Sequence, residues 1–82
     1  MQIFVKDTMK PNNYCLEVKS EMLIIDFKHL LYEKTYIKPH HQRLLFAGKQ
    51  LQDNKTFEEY NIQKASTIFL VNRTDGGKFE NK

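Results

Sequence analysis

The sequence predicts an α+β domain in which one helix lies across one face of a mixed β-sheet. Three observations predict it. Two segments of alternating apolar and polar residues open the chain, at 1–6 and 14–19. One stretch of helical periodicity follows at about 24–35, and no second full helix appears after it. The remainder offers short strand-like runs at 43–46, 50–51 and 67–71. Period two gives half-buried strands, period 3.6 gives an amphipathic helix, and the order of the two sets the fold class.

Each element has its own local warrant. In the first segment Met1, Ile3 and Val5 share one side of an extended backbone. Residues 7–13, with Pro11, Asn12 and Asn13, read as a long hairpin loop. Tyr14, Leu16 and Val18 then face inward while Cys15, Glu17 and Lys19 face out, closing an antiparallel hairpin. Ile24, Phe27 and Leu31, with Lys28 between them, fit one helical face. The helix start is poorly capped, because Leu23 stands where Ser, Thr or Asp is preferred, a loss of about 1 kcal/mol; Ser20 is an alternative cap for a longer helix. Pro39 ends the helical stretch or follows its end. Ala47, Gly48 and Lys49 turn the chain between two short strands, and Asn54 suits a left-handed position in the polar loop 52–55. Phe57 and Ile62 read as inward plugs on an irregular segment with one short helical turn. The apolar, β-branched run at 67–71 is the strongest strand signal. The expected core is Ile3, Val5, Tyr14, Leu16, Val18, Ile24, Phe27, Leu31, Leu44, Leu51, Phe57, Ile62, Ile68 and Leu70. Residues 1–73 form the domain, and 74–82 form a flexible polar tail containing Gly76 and Gly77.

Composition narrows the function. At 82 residues the chain holds one small domain, with no room for separate catalytic and substrate domains. Thirteen basic against ten acidic residues give a net charge of +3, and acids interrupt every basic stretch, so nucleic acid is not an expected partner. No apolar run approaches the ~18 residues of a membrane span, and no signal peptide opens the chain, so a cytoplasmic or nuclear monomer is expected. The single Cys15 makes no intrachain disulfide and has no positioned base beside it. His40 and His41, on an extended segment, point to opposite faces and chelate one ion poorly. Glu58 and Glu59 form a charge pair on a loop rather than an acid/base dyad. No metal, no cofactor and no catalytic residue is expected: the profile is that of a binding module, not an enzyme.

Parity sharpens this. If Ile68 and Leu70 face the helix, Phe69 and Val71 face the other way, and if Leu44 faces in, Leu45 faces out. One helix covers one side of the sheet, so Leu45, Phe69 and Val71 form an open apolar cluster that Met9 can reach from the hairpin tip. A contiguous apolar cluster on a small monomer marks an interaction site, although a second layer in a longer parent protein would cover the same face. Lys6, His41, Gly48 and Lys49 give it a polar, partly basic rim.

The same residues carry a resemblance. The chain resembles ubiquitin over residues 1–77, through its opening Met-Gln-Ile-Phe-Val-Lys, through Gln42-Arg43-Leu44 and Phe46-Ala47-Gly48-Lys49-Gln50-Leu51, through Tyr60-Asn61-Ile62-Gln63-Lys64, and through Ser66-Thr67, Leu70-Val71, Arg73 and Gly76-Gly77. The resemblance implies the β-grasp fold, and it implies that the patch of Met9, Leu45, Gly48, Phe69 and Val71 is the surface used by ubiquitin-binding domains. It implies further partners: activating and conjugating enzymes, deubiquitinases and proteasome receptors. Lys6, Lys28, Lys34, Lys49 and Lys64 match lysines used for chain linkage, and each reads equally well as solvated surface.

The departures from the family are specific. Phe69 stands where the family usually has histidine, which makes the patch greasier and removes a group that titrates near neutral pH. The first hairpin loop has an extra residue and no glycine. Tyr36 replaces the glycine after the helix, and a left-handed tyrosine is strained, so a locally different helix end is expected. The family's Leu-Arg-Leu-Arg-Gly-Gly ending reads Asn72-Arg73-Thr74-Asp75-Gly76-Gly77 here. Arg73 remains as a handle for an activating enzyme, both leucines are gone, and Asp75 reverses a charge. Residues 78–82 follow Gly77, so a free glycine carboxylate requires their removal. The leading expectation is a divergent ubiquitin-like tag, recognised through the patch and conjugated through Gly77. The alternatives are an unconjugated adaptor domain of a larger protein and a mimic that occupies ubiquitin-pathway enzymes.

Overall fold

The computed structural model describes residues 1–73; the tail expected at 74–82 lies outside the described residues. Five strands and one helix follow in the order β1 (Gln2–Asp7), β2 (Asn13–Glu17), α1 (Ile24–Thr35), β3 (Gln42–Phe46), β4 (Lys49–Gln50) and β5 (Thr67–Asn72). Short 3-10 turns occupy Pro39–His41 and Glu58–Tyr60. The sheet order is β2-β1-β5-β3-β4. The β1–β5 pair is parallel, and the remaining pairs are antiparallel. This is the mixed sheet with one crossing helix that the sequence predicts.

The core lies between the sheet and α1. Ile3, Val5, Leu16, Val18, Leu44, Ile68 and Leu70 come from the strands and their flanks, Ile24, Phe27 and Leu31 from the helix, and Leu51, Phe57 and Ile62 from the long connection. Phe27 and Phe57 meet edge to face with ring centroids 5.0 Å apart. Each such fully buried side chain contributes about 1.5–3 kcal/mol. Every residue expected in the core is buried except Tyr14, which is half-buried because β2 is an edge strand with no neighbour beyond it.

The uncapped helix start is supported from outside the helix. Leu23 offers no side-chain cap, and the N–H groups of Ile24 and Ile25 donate to the carbonyls of Lys55 (2.8 Å) and Asp53 (3.1 Å). Loop carbonyls thus satisfy two of the donors that a helix start leaves open. Ser20 is not the cap: its hydroxyl bonds Glu21, and its carbonyl accepts from Glu58.

Four local expectations are corrected. Tyr36 adopts the left-handed conformation, φ 61°, and its N–H donates to the Tyr32 carbonyl at 2.8 Å, so the helix ends as a glycine would end it. Pro39 opens a 3-10 turn, so His40 and His41 are not extended, and their rings touch with centroids 4.2 Å apart. The left-handed asparagine is Asn61, φ 57°, rather than Asn54. Strand β1 runs on to Asp7, whose buried carboxylate accepts the N–H groups of Met9 (2.8 Å) and Lys10 (3.2 Å) and so folds the loop after it. The β3–β4 turn takes Ala47 at φ 53° and Gly48 at φ 78°, both positive as a two-residue hairpin of the primed type requires.

Candidate functional site

The register sets the open face of the sheet. Leu45 on β3 lies opposite Phe69 on β5, and Arg43 lies opposite Val71. On the other side of β5, Lys6 of β1 lies beside Phe69. The inward partners of the same strands, Val5, Leu44, Ile68 and Leu70, are at most 1% exposed, whereas Phe69 is 42% exposed. Leu45 and Val71 are half-buried. The parity argument therefore holds at each of these positions.

Met9 is among the most exposed apolar side chains of the described residues, at 66%. The loop that carries it is tied to β5, because both the N–H and the hydroxyl of Thr8 donate to the Leu70 carbonyl at 3.0 Å. Those two bonds hold Met9 near the Val71 end of the cluster. Gly48 is exposed at the β3–β4 turn. Of the expected rim, Lys6 lies directly beside Phe69. Lys49 pairs with Phe46 in the two-residue strand β4, and Gln50 is the residue opposite Leu45. His41 is half-buried.

The five lysines singled out from the sequence divide into two kinds. Lys6, Lys34, Lys49 and Lys64 are exposed. Lys28 is buried on the helix face, and its Nζ lies 2.7 Å from Asp53 Oδ1, so its amine is not presented to solvent. Above it Gln42, also buried, donates through Nε2 to the carbonyls of Lys28 (2.9 Å) and Ile37 (2.8 Å), joining helix to β3. Arg73 is exposed, and its N–H donates to the His41 carbonyl at 2.6 Å, which extends the β3–β5 pairing by one residue. Thr74, Asp75, Gly76 and Gly77 lie outside the described residues.

One surface residue was missed. Phe4 is 40% exposed on the same face, paired with Thr67 on one side and Cys15 on the other. Its signal was the alternation that put Ile3 and Val5 inward. Among the described residues no group of three or more His, Cys, Asp or Glu side chains is arranged to hold a metal ion.

A side-chain cluster drawn from two strands and a loop, apolar at its centre and basic at its flank, has the composition expected of a protein-docking surface. Comparison with known proteins gives the lineage: the Ubiquitin family matches residues 3–75, and the chain belongs to that family. It is similar to the NEDD8-like protein RUB3 of Arabidopsis thaliana, 36% identical over 77 residues covering 94% of this chain and 97% of that protein. It is similar to the NEDD8-like protein RUB1 of Saccharomyces cerevisiae, 34% identical over 85% of this chain and 91% of that protein. It is also similar to Ubiquitin-like protein 4A of Rattus norvegicus, 38% identical over 87% of this chain and 45% of that protein, so it spans less than half that relative's length. These matches are to the Ubiquitin family and to NEDD8-like and ubiquitin-like proteins.

Proposed function

We propose that this chain is a ubiquitin-like protein modifier that is recognised through Leu45, Phe69, Val71 and Met9, and is joined to lysines of other proteins through Gly77 once residues 78–82 are removed. The observation that carries the reading is the outward apolar row Leu45–Phe69, set by the β3–β5 register. Similarity to two NEDD8-like proteins over 94% and 85% of this chain, and over most of their own length, supports the modifier reading. The chemistry belongs to partner enzymes: adenylation of the Gly77 carboxylate, transfer to a thiol as a thioester, and attack by an amine to form the isopeptide bond. Two glycines suit that passage, because the absence of Cβ lets the backbone enter a narrow channel.

Two measurements test it. Leu45→Ala is expected to abolish binding to a ubiquitin-binding domain while leaving the far-ultraviolet dichroism unchanged; unchanged affinity refutes the face. Incubation with ubiquitin-processing proteases is expected to remove residues 78–82, read by mass spectrometry, and a thioester to an activating enzyme is expected to follow. A tail that persists whole, with no thioester, overturns conjugation. That outcome leaves the second reading, an unconjugated adaptor domain, which the partial-length similarity to Ubiquitin-like protein 4A favours.

A further inference from the structure

We propose that the outer edge of β2 is a self-recognition surface: a second copy of this chain pairs its own β2 there, antiparallel, across a two-fold axis at Cys15, and the two sheets run on as one. Among the described residues β2 ends the sheet on one side and β4 on the other. The two edges differ. β4 is two residues long and begins with Lys49, and both shortness and lysine keep an edge from pairing. β2 reads Asn-Tyr-Cys-Leu-Glu, without lysine or proline, and no bulge breaks its register against β1. The hydrogen bonds just past the two ends of that pairing fix which groups point outward. Val18 N–H donates to the Met1 carbonyl (2.8 Å) and Asp7 N–H to the Asn12 carbonyl (3.0 Å), so the even-numbered residues of β2 bond to β1. Asn13, Cys15 and Glu17 therefore turn their backbone N–H and C=O groups away from β1, with no described strand beyond them.

Those three residues complement themselves. With Cys15 opposite Cys15 of the second copy, Asn13 stands opposite Glu17 and Glu17 opposite Asn13, so each outward residue meets another and exchanges two backbone bonds with it. Sliding two residues one way sets Glu17 against Pro11, which has no N–H; sliding the other way sets Asn13 against Lys19, beyond the end of the strand. The side chains agree with the same register. On the open face the pair at the axis is two small side chains, and each flanking pair joins an amide that donates to a carboxylate that accepts. Glu17 is the one charged side chain of the strand, and the Met1 ammonium at 2.7 Å balances it. On the helix side Tyr14 comes opposite Leu16, so pairing covers the expected core residue that the single chain leaves half-buried. The groove between β2 and α1 is lined by Leu30, Glu33 and Lys34, and the last two are neighbours of opposite charge, so no block of one sign faces itself. So short a pairing falls below the area of a standard interface, which makes the dimer weak and concentration-dependent.

The test is amide exchange on the 15N-labelled full chain across a dilution series, with a phosphine reductant present so that no disulfide contributes. In dilute solution the amides of Asn13, Cys15 and Glu17 are expected to exchange fast. As concentration rises they are expected to gain protection in step with the sedimentation coefficient, while Tyr14 and Leu16, already bonded to β1, change less than about twofold. Cys15→Lys sets two ammonium groups against each other at the axis and is expected to weaken dimerisation at least about tenfold, as is Cys15→Glu alone. Mixing the two variants is expected to restore a dimer, which misfolded chains would not do. Leu45→Ala is expected to leave the dimer unchanged, separating this edge from the open face. Four outcomes overturn the pairing: a chain that stays monomeric at the highest concentration, a dimer that gives Asn13, Cys15 and Glu17 no protection, a dimer that survives Cys15→Lys, and a mixture of the charged variants that stays apart. A dimer lost with Leu45→Ala but kept with Cys15→Lys assigns self-association to the open face instead.

Discussion

Tyr36 and Phe69 each break with the family at one position, in opposite ways. Tyr36 holds φ at 61° with its side chain 81% exposed, so little but the edge contact with Tyr32, 6.4 Å between centroids, offsets a left-handed backbone. That conformation costs a non-glycine residue about 1–2 kcal/mol. Tyr36→Gly is expected to raise stability by about 1 kcal/mol in urea unfolding; a loss would show that the tyrosine pair holds the helix end more firmly than its geometry indicates. Phe69 carries no titratable group, and Phe69→His restores one at the centre of the patch. Binding an apolar partner there favours the neutral ring, so affinity of the variant is expected to fall, relative to the parent, as pH drops through about 6.5. Titration calorimetry at several pH values with a ubiquitin-binding domain reads the difference.

At the level of elements, α1 is fixed at its start by backbone carbonyls of Asp53 and Lys55 and along its length by the Lys28–Asp53 ion pair. Lys28 is buried and Asp53 is half-exposed. Asp53→Ala strands an ammonium in the interior and is expected to cost about 1–2 kcal/mol, less than a fully buried pair because solvent reaches the carboxylate side. Lys28→Met keeps the stem and removes the charge, so it is expected to stay within about 1 kcal/mol of the parent in the same denaturation assay. Acylation of the native chain, mapped by mass spectrometry, is expected to modify Lys6, Lys34, Lys49 and Lys64 well before Lys28. The helix face was readable because Ile24, Phe27 and Leu31 repeat at the helical period, and that period also put Lys28 on the buried face. Its ion partner was not readable, since Asp53 sits in an aperiodic loop far along the chain. The open face was readable wherever alternation was strict: shifting Ile68 and Leu70 inward forces Phe69 and Val71 outward. The helix end was misjudged because local strain argued against a left-handed tyrosine, and the requirement for it comes from where the following segment must go to reach Gln42, whose amide binds the Lys28 and Ile37 carbonyls.

For the molecule as a whole, β5 lies at the middle of the sheet, parallel to β1 and antiparallel to β3. Amide exchange is expected to be slowest at Ile68 and Leu70 and in β1, and fastest in the edge strands β2 and β4, which have a hydrogen-bonded neighbour on one side alone. Fast exchange in β5 would contradict that placement. The position has a consequence during synthesis. A ribosome delivers β1 first and β5 last of the described elements, yet β5 is what joins the β1–β2 hairpin to β3 and β4. Until Asn72 clears the exit tunnel the β1–β2 hairpin and the β3–β4 pair lack the strand that joins them into one sheet and covers the sides of Val5 and Leu44. Translation that stops short of Thr67 therefore leaves no smaller working domain, only an open chain for the cell's chaperones and proteases.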